Sequence, residues 1–405
     1  MHKLLKTEKC TGVGLLLFFL LVSSARKQHR ALFKLVFLIF KKKMSRRTTV
    51  VLSFLVLILA LFLALAIGPQ CIDAVKKWHN RLRMARWYAT HAKRRLPRKS
   101  PMPHVRALQN QTRAILHTAI ARDFAGTRQM QEICEYSLAG GKLVRAMLTQ
   151  IVAAGGADVA AILYATREAA MSIEYIHAAS LVLDDEMDGD QERRGKPSVY
   201  VRYGSTASQL AAMQLMTTAF VKTVRATDYL RQAYGDARGN ELGVYMFDTV
   251  SRNLQMLGMG QYLDLYPTNA PWAKLGQAIG RQHVAHIEEV IRKKTVTLFE
   301  VSFVYGWLIR NGALERLDDV RALAHAFGML FQIADDCEDR EMDLMRAGKN
   351  VAMNYVVRHG FPKTVAEAHR LSKKCRTLCK QLAIPTTEIN ELLTHLVSQV
   401  NFFCA

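Results

Sequence analysis

Proline is scarce in this chain, at nine residues in 405, and six of them stand near expected boundaries: Pro97, Pro101, Pro103, Pro267, Pro271 and Pro385. Because proline breaks the helical hydrogen-bond ladder, its scarcity leaves room for long helices. Cysteine is sparse too. The seven (Cys10, Cys71, Cys134, Cys337, Cys375, Cys379, Cys404) are odd in number and lack zinc spacing, which argues against a zinc-finger frame. Cys375 and Cys379 stand one turn apart and read as two reduced thiols, with a metal pair as the alternative; Cys337 reads as a small filler. No internal repeat is present.

Acidic residues are nearly missing from the first hundred positions. That stretch has 22 Lys and Arg against 2 Asp and Glu, which leaves 34 against 32 for the remaining 305 residues. The formal charge of +22 is therefore no nucleic-acid footprint of the main domain, and nucleic acid is not expected as a partner. The basic excess brackets an uncharged apolar run, Thr48 to Ile67. At 1.5 Å per residue about 20 residues cross a ~30 Å hydrocarbon core, so a single transmembrane helix is predicted there. Trp78 and Trp87 stand at its basic flank as interface residues. The expected organisation is a basic and apolar extension (1–47), the transmembrane helix (48–67), a basic linker (68–101) and one catalytic domain (102–405), long for a domain but acceptable for a helical bundle. Met44, followed by Ser45-Arg46-Arg47, resembles a natural start. Leu-, Ala- and Met-rich stretches such as 207–224 and 320–334 outrun strand length. The fold class is expected to be all-α.

Two acidic clusters carry the chemistry: Asp184-Asp185-Glu186-Met187-Asp188 and Asp335-Asp336-Cys337-Glu338-Asp339, both D-D-x-x-D. Residues i and i+4 share a helix face, so Asp184 with Asp188, and Asp335 with Asp339, each project two carboxylates in one direction. Apolar runs (179–183 and 331–334) precede both, which favours partly buried helices over solvated faces. Mg²⁺ is held by one or two carboxylates plus substrate phosphates, and two such pairs facing one another suit diphosphates. Gly140-Gly141-Lys142-Leu143-Val144-Arg145 places Lys142 and Arg145 on one face, and Arg193-Arg194-Gly195 adds two guanidiniums suited to phosphate. His177 lies two turns before Asp184; Lys294, Thr295 and Gln332 offer a cation and hydrogen bonds for phosphate oxygens.

The ordered set GGKxxR, H-A-A-S-L-V-L-D-D-E-M-D, RRG-K-P, G-Q-Y-L-D, K-T-V-T-L-F and F-Q-I-A-D-D-C-E-D resembles the trans-isoprenyl diphosphate synthases, geranylgeranyl diphosphate synthases in particular, from about Arg106 to the C-terminus. The resemblance implies an isoprenoid synthase-type helical bundle with a central cavity, three Mg²⁺ ions and a homodimer. It implies that Asp184, Asp185, Asp188, Asp335, Asp336 and Asp339 hold magnesium, directly or through water. Lys142, Arg145, His177 and Arg194 would bind isopentenyl diphosphate; Arg193, Lys294, Thr295 and Gln332 would grip an allylic diphosphate. Asp184, Asp185, Lys294 and Asp335 would bear most directly on catalysis, by ionisation, condensation and elimination.

Departures from the pattern are specific. Ala146 stands where the family has proline, Leu183 where it commonly has histidine, and Ala212-Met213 where it commonly has Gly-Asp. The usual lysine-bearing loop after the second motif reads Met342 to Asn350, with Lys349 as a substitute. In the family the fifth residue before the first Asp pair floors the prenyl pocket; here it is Ala179, followed by Ser180, and a methyl group leaves the floor open to products beyond C15, with C20 expected. A class I terpene cyclase and a non-catalytic, membrane-anchored partner subunit are the alternatives. The proposed substrate places the catalytic domain on the cytosolic side of its membrane.

Overall fold

A computed structural model of the chain describes residues 102–154, 160–266, 287–347 and 353–404. The predicted membrane segment 48–67, its neighbours 1–47 and 68–101, and Lys349 lie outside the described residues. Among the described residues no helix is long and apolar enough to cross a membrane.

The helices are α1 (Pro103–Asp123), α2 (Arg128–Leu138), α3 (Val144–Ala153), α4 (Ala160–Asp188), α5 (Val199–Tyr203), α6 (Ser205–Tyr234), α7 (Asp236–Leu265), α8 (Thr297–Ile309), α9 (Leu317–Ala347), α10 (Tyr355–His359), α11 (Phe361–Gln381) and α12 (Thr387–Phe403). Pro103 starts α1 where its missing N–H costs nothing. The two strands, β1 (Glu192–Arg193) and β2 (Lys196–Pro197), form a hairpin after α4. Its turn residues Arg194 (φ 55°) and Gly195 (φ 73°) are both left-handed, as a two-residue I′ hairpin requires.

α8 shows why the chain closes into a bundle. Every residue of it except Glu300 is buried, and a helix apolar all round belongs in a core. It packs against α3, α7 and α9, while α4 and α6 pair along their length. Gly306 permits the close approach of α8 to α3: a Cβ there would lie 2.7 Å from the Thr149 carbonyl oxygen.

Away from the cavity the bundle holds a buried charge cluster. Lys222 on α6 is fully buried, with Nζ 2.5 Å from Asp123 Oδ2 and 2.9 Å from Glu168 Oε2. Tyr175 donates to Asp123 Oδ2 at 2.9 Å, and Arg122 and Arg225 close the ring from outside. Each buried charge has an opposite partner, without which its desolvation would be prohibitive.

Candidate active site

The first acidic motif forms the last turn of α4, where the helix dipole disfavours carboxylates. Cations compensate. Lys294 Nζ lies 3.0 Å from Asp184 Oδ1 and 2.7 Å from Asp264 Oδ2, while Arg193 Nε donates to Asp185 Oδ1 at 2.7 Å and Nη2 lies 3.9 Å from Asp184 Oδ2. Burial pulls the Lys294 ammonium down, but Asp264 and Asp184 outweigh it and leave it above its ordinary value. Asp188 is pushed up to about 6, by desolvation first and then by Asp184.

Lys294 owes its position to a local irregularity. Residues Arg292–Val296 form a π-turn leading into α8, a wide turn found often at functional sites. α7 reaches its backbone because residue 260 is glycine: a Cβ there would stand 2.7 Å from the Lys294 nitrogen.

The second motif lies within α9 and faces the same cavity. The cavity, of about 830 Å³, is lined by Asp184 and Asp190 on one side and by Asp335, Glu338 and Asp339 on the other. Lys142, Arg145, His177, Ser180, Arg193, Arg194, Lys294, Thr295 and Gln332 line it as well, and its apolar part includes Met216, Leu254, Leu257, Leu298 and Phe331. Lys142 Nζ stands 3.9 Å from Asp335 Oδ1, and burial raises the Asp335 carboxyl.

The Arg145 wall is built below the glycines. Gly140 (φ 75°) and Leu143 (φ 56°) bend the chain into α3. Arg145 is 9% exposed, donates from Nη1 to His177 Nε2 at 3.2 Å and lies over the Phe299 ring at 4.4 Å. Burial brings Arg145 down to about 10, and burial with Arg145, Arg194 and Arg193 drives His177 well below its usual range. His177 is therefore a neutral acceptor that orients the guanidinium. Beneath it Glu174 Oε1 accepts the Ala146 N–H at 3.1 Å. The family's proline at 146 could not make this bond, so the replacement adds a tie between α3 and α4.

The structure does not bring every candidate to the cavity. Asp185, 2% exposed, is spent on Arg193. Asp336, 5% exposed, accepts Gln332 Nε2 at 2.7 Å on Oδ1 and the Tyr355 N–H at 2.7 Å on Oδ2, and burial pushes it up to about 7. Thr295 in turn donates to Gln332 Oε1 at 2.7 Å, and Asn354 Nδ2 binds the Asp336 carbonyl and Asp343 Oδ2, each at 2.8 Å. These two aspartates tie structure together instead of lining the main cavity. The middle aspartate is rotated about 100° from the first along an α-helix, which sends it toward neighbouring chain. Ala179 is likewise fully buried in the core; Ser180, not Ala179, meets the cavity. Asp188 is exposed at the rim, outside the cavity lining.

Glu174, Asp190, Glu192 and Glu338 in the cavity lining, and Asp264 beside Lys294, are charged groups not singled out from sequence. The G-Q-Y-L-D motif that ends in Asp264 was the available signal. Among the described residues, no three Asp, Glu, His or Cys side chains converge closely enough to hold a metal ion by themselves. Carboxylates on opposite walls nevertheless fit Mg²⁺, which takes one or two of them and completes its shell with water and phosphate oxygens.

Comparison with known proteins agrees with this geometry. The polyprenyl synthetase family profile matches residues 127–356. The chain is 30% identical over 293 residues to a trans-prenyltransferase of African swine fever virus (isolate Pig/Kenya/KEN-50/1950), covering 70% of this chain and 80% of that protein. It is 29% identical over 262 residues to the heterodimeric geranylgeranyl pyrophosphate synthase large subunit 2 of Arabidopsis thaliana, covering 61% and 64%. Among solved structures, a geranyltransferase from Legionella pneumophila superposes with a TM-score of 0.59 at 19% identity over 73% of this chain and 96% of that one. An FPP/GFPP synthase from Zymomonas mobilis gives 0.56 at 20% identity over 75% and 100%. With its two D-D-x-x-D helices around one cation-lined cavity, the chain belongs to the polyprenyl synthetase family and is a prenyl-transferring enzyme.

Proposed function

We propose that the chain is a Mg²⁺-dependent trans-prenyltransferase that condenses isopentenyl diphosphate with an allylic diphosphate, taking farnesyl diphosphate to geranylgeranyl diphosphate. The observation that carries this is one cavity with two separate sets of cations: Lys294 and Arg193 near Asp184, and Lys142, Arg145 and Arg194 on the other wall. Two sets suit two diphosphates. A cyclase acts on one diphosphate and has no use for the second.

Asp184, Asp335 and Asp339, with Asp188 at the rim, would hold the magnesium ions, three in this reading; bound there, magnesium supplies positive charge to the departing diphosphate. Lys294 and Arg193 hold the allylic diphosphate and neutralise the charge that grows as its C–O bond breaks. Arg145, fixed by His177, orients isopentenyl diphosphate so that its double bond attacks the allylic cation, and proton loss then gives a product longer by five carbons. Met216, Leu254, Leu257 and Leu298 keep water from the cation and receive the chain.

The protein also acts as a homodimer and at a membrane in this proposal. On α6 the exposed Leu210 (46%), Met213 (59%), Val221 (48%) and Val224 (48%) follow helical spacing, an unpartnered stripe suited to a second copy. Met213→Glu with Val221→Glu should convert a dimer to monomer in light scattering; an unchanged mass would reject the stripe. Residues 48–67 would anchor the catalytic domain, 102–405, on the cytosolic side.

The test is to incubate the protein with Mg²⁺, labelled isopentenyl diphosphate and farnesyl diphosphate, then separate the dephosphorylated products. A C20 alcohol absent with Asp184→Ala is expected. No elongation of farnesyl, geranyl or dimethylallyl diphosphate by the folded protein would overturn the proposal in favour of a partner-binding role.

A further inference from the structure

Two thiols meet where the back of the second motif touches the end of the chain. Cys337 lies in α9 between Asp336 and Glu338 and is 5% exposed; Cys404 follows α12 and is partly exposed. Their sulfurs are 3.4 Å apart across 67 residues of sequence. Gln399 Nε2 reaches Glu338 Oε2 at 3.5 Å, so the same two segments meet at a second point. The other described cysteines, Cys134, Cys375 and Cys379, are buried. Cys404 alone among the described thiols combines solvent access with a sulfur neighbour.

We propose that Cys337 and Cys404 are a modification site: a thiol pair that a peroxide converts to a disulfide joining α12 to α9. Cys404, the partly exposed member of the pair, is the group oxidised first. The sulfur contact with Cys337, and then the Arg340 guanidinium, hold its thiol below the ordinary value, which favours the nucleophilic thiolate. Its sulfur attacks one peroxide oxygen, the O–O bond breaks, and the departing hydroxide takes up a proton to leave as water. The sulfenic acid formed faces Cys337, whose sulfur displaces the hydroxyl group and whose proton leaves with it as a second water. Two thiols thus lose two electrons and two protons, and one peroxide becomes two waters. Closing the sulfurs to the ~2.05 Å of a disulfide asks for a small movement, which Cys404 can make because it stands beyond the end of α12.

The bridge would leave the cavity open. At about 100° per residue Cys337 points roughly opposite to Asp335 and Asp339 around α9, so the staple pulls from the helix's back. Its effect is on the unfolded chain, whose freedom the 67-residue crosslink reduces.

The test uses the full chain treated with low-millimolar hydrogen peroxide, alkylated and mapped by peptide mass spectrometry without reductant. A linked peptide pair containing Cys337 and Cys404, lost on reduction, is expected, with the melting temperature of the oxidised protein higher by roughly 5–10 °C. In Cys337→Ser the reaction should stop at a sulfenic acid on Cys404, captured by dimedone. Accumulation of dimedone adduct on Cys404 in the wild type, or persistence of both free thiols under conditions that oxidise glutathione, would overturn the proposal. The wild-type map decides the matter even if the serine variant does not fold, and it does not depend on prenyl transfer.

Discussion

Replacing Asp336 should loosen the wall of the cavity without emptying a metal position. In Asp336→Ala the Tyr355 N–H and Gln332 Nε2 lose their acceptor. Each buried donor left unpaired costs ~1–3 kcal/mol. The carboxyl itself sits unfavourably, pushed up to about 7 by burial, and its removal returns part of that loss. The net is expected at about 2–4 kcal/mol, read as a lower urea midpoint with unchanged slope. Asp336→Asn behaves differently. Its oxygen still accepts from Tyr355, and its amide is satisfied if Gln332 flips and donates to Thr295 Oγ1 in turn, so a loss near 1 kcal/mol is expected. Metal binding separates tie from ligand. With pyrophosphate present, Mn²⁺ titrated by electron paramagnetic resonance should bind Asp336→Asn within a few-fold of wild type and bind Asp335→Asn far more weakly. Equal loss in both variants, with Asp336→Ala as stable as wild type, would refute the reasoning.

Three further outcomes follow from other parts of the molecule. Lys222→Met strands Asp123 and Glu168 in the interior and should destabilise by ~3–5 kcal/mol; a urea-derived loss below about 1 kcal/mol would show the cluster to be hydrated. His177 is neutral when folded because burial and three arginines depress its pKa, so its contribution is complete above the unfolded value near 6.5 and is lost as pH falls below it, at up to ~1.4 kcal/mol per unit. His177→Gln should shallow the fall in stability between pH 7.5 and 5.5, and an identical slope would contradict this. Gly260→Ala drives a methyl into the backbone at Lys293 and Lys294. It should weaken binding of an allylic diphosphate analogue by calorimetry at least as much as it lowers the melting temperature, and unaltered affinity would dissociate Gly260 from Lys294.

Much of this was legible from spacing. The i, i+4 pairing of Asp335 with Asp339 holds in the cavity, and the glycines before Lys142 do bend the chain. Helical periodicity found the long helices because α4, α6 and α9 bury faces along their length. What escaped was the direction of side chains within a motif. D-D-x-x-D treats three aspartates alike, while the helix puts the middle one about 100° away, and its partners, Arg193 for Asp185 and Tyr355 for Asp336, become visible only after tertiary folding. Ala179 and Ser180 part for the same reason: the fifth position before the motif and the fourth lie on different faces, and of the two Ser180 lines the cavity. The π-turn at Arg292–Val296 leaves no mark that a period of 3.6 residues would reveal.

The ion pairs inside the cavity are best understood as partners awaiting exchange. Asp184 sits at the negative end of α4's dipole, a position that costs energy unless charge compensates it, and in this structure Lys294 does so at 3.0 Å. Lys294 also leans on Asp264 at 2.7 Å, so it can give up Asp184 without losing its countercharge. In the proposed reaction a diphosphate arriving with its cations would offer Asp184 a stronger positive partner and Lys294 a stronger negative one. Both exchanges would therefore run toward the loaded site. Arg193 is constrained differently: Asp185 holds it at 2.7 Å within the hairpin, so it presents charge without moving. The lysine supplies the adjustable contact and the arginine the fixed one, as expected for a flexible ammonium and a planar guanidinium. Asp264→Asn would remove the second anchor and leave Lys294 committed to Asp184; affinity for pyrophosphate with Mg²⁺ should then fall several-fold in calorimetry, whereas a gain would mean that Asp264 competes with the ligand for the ammonium.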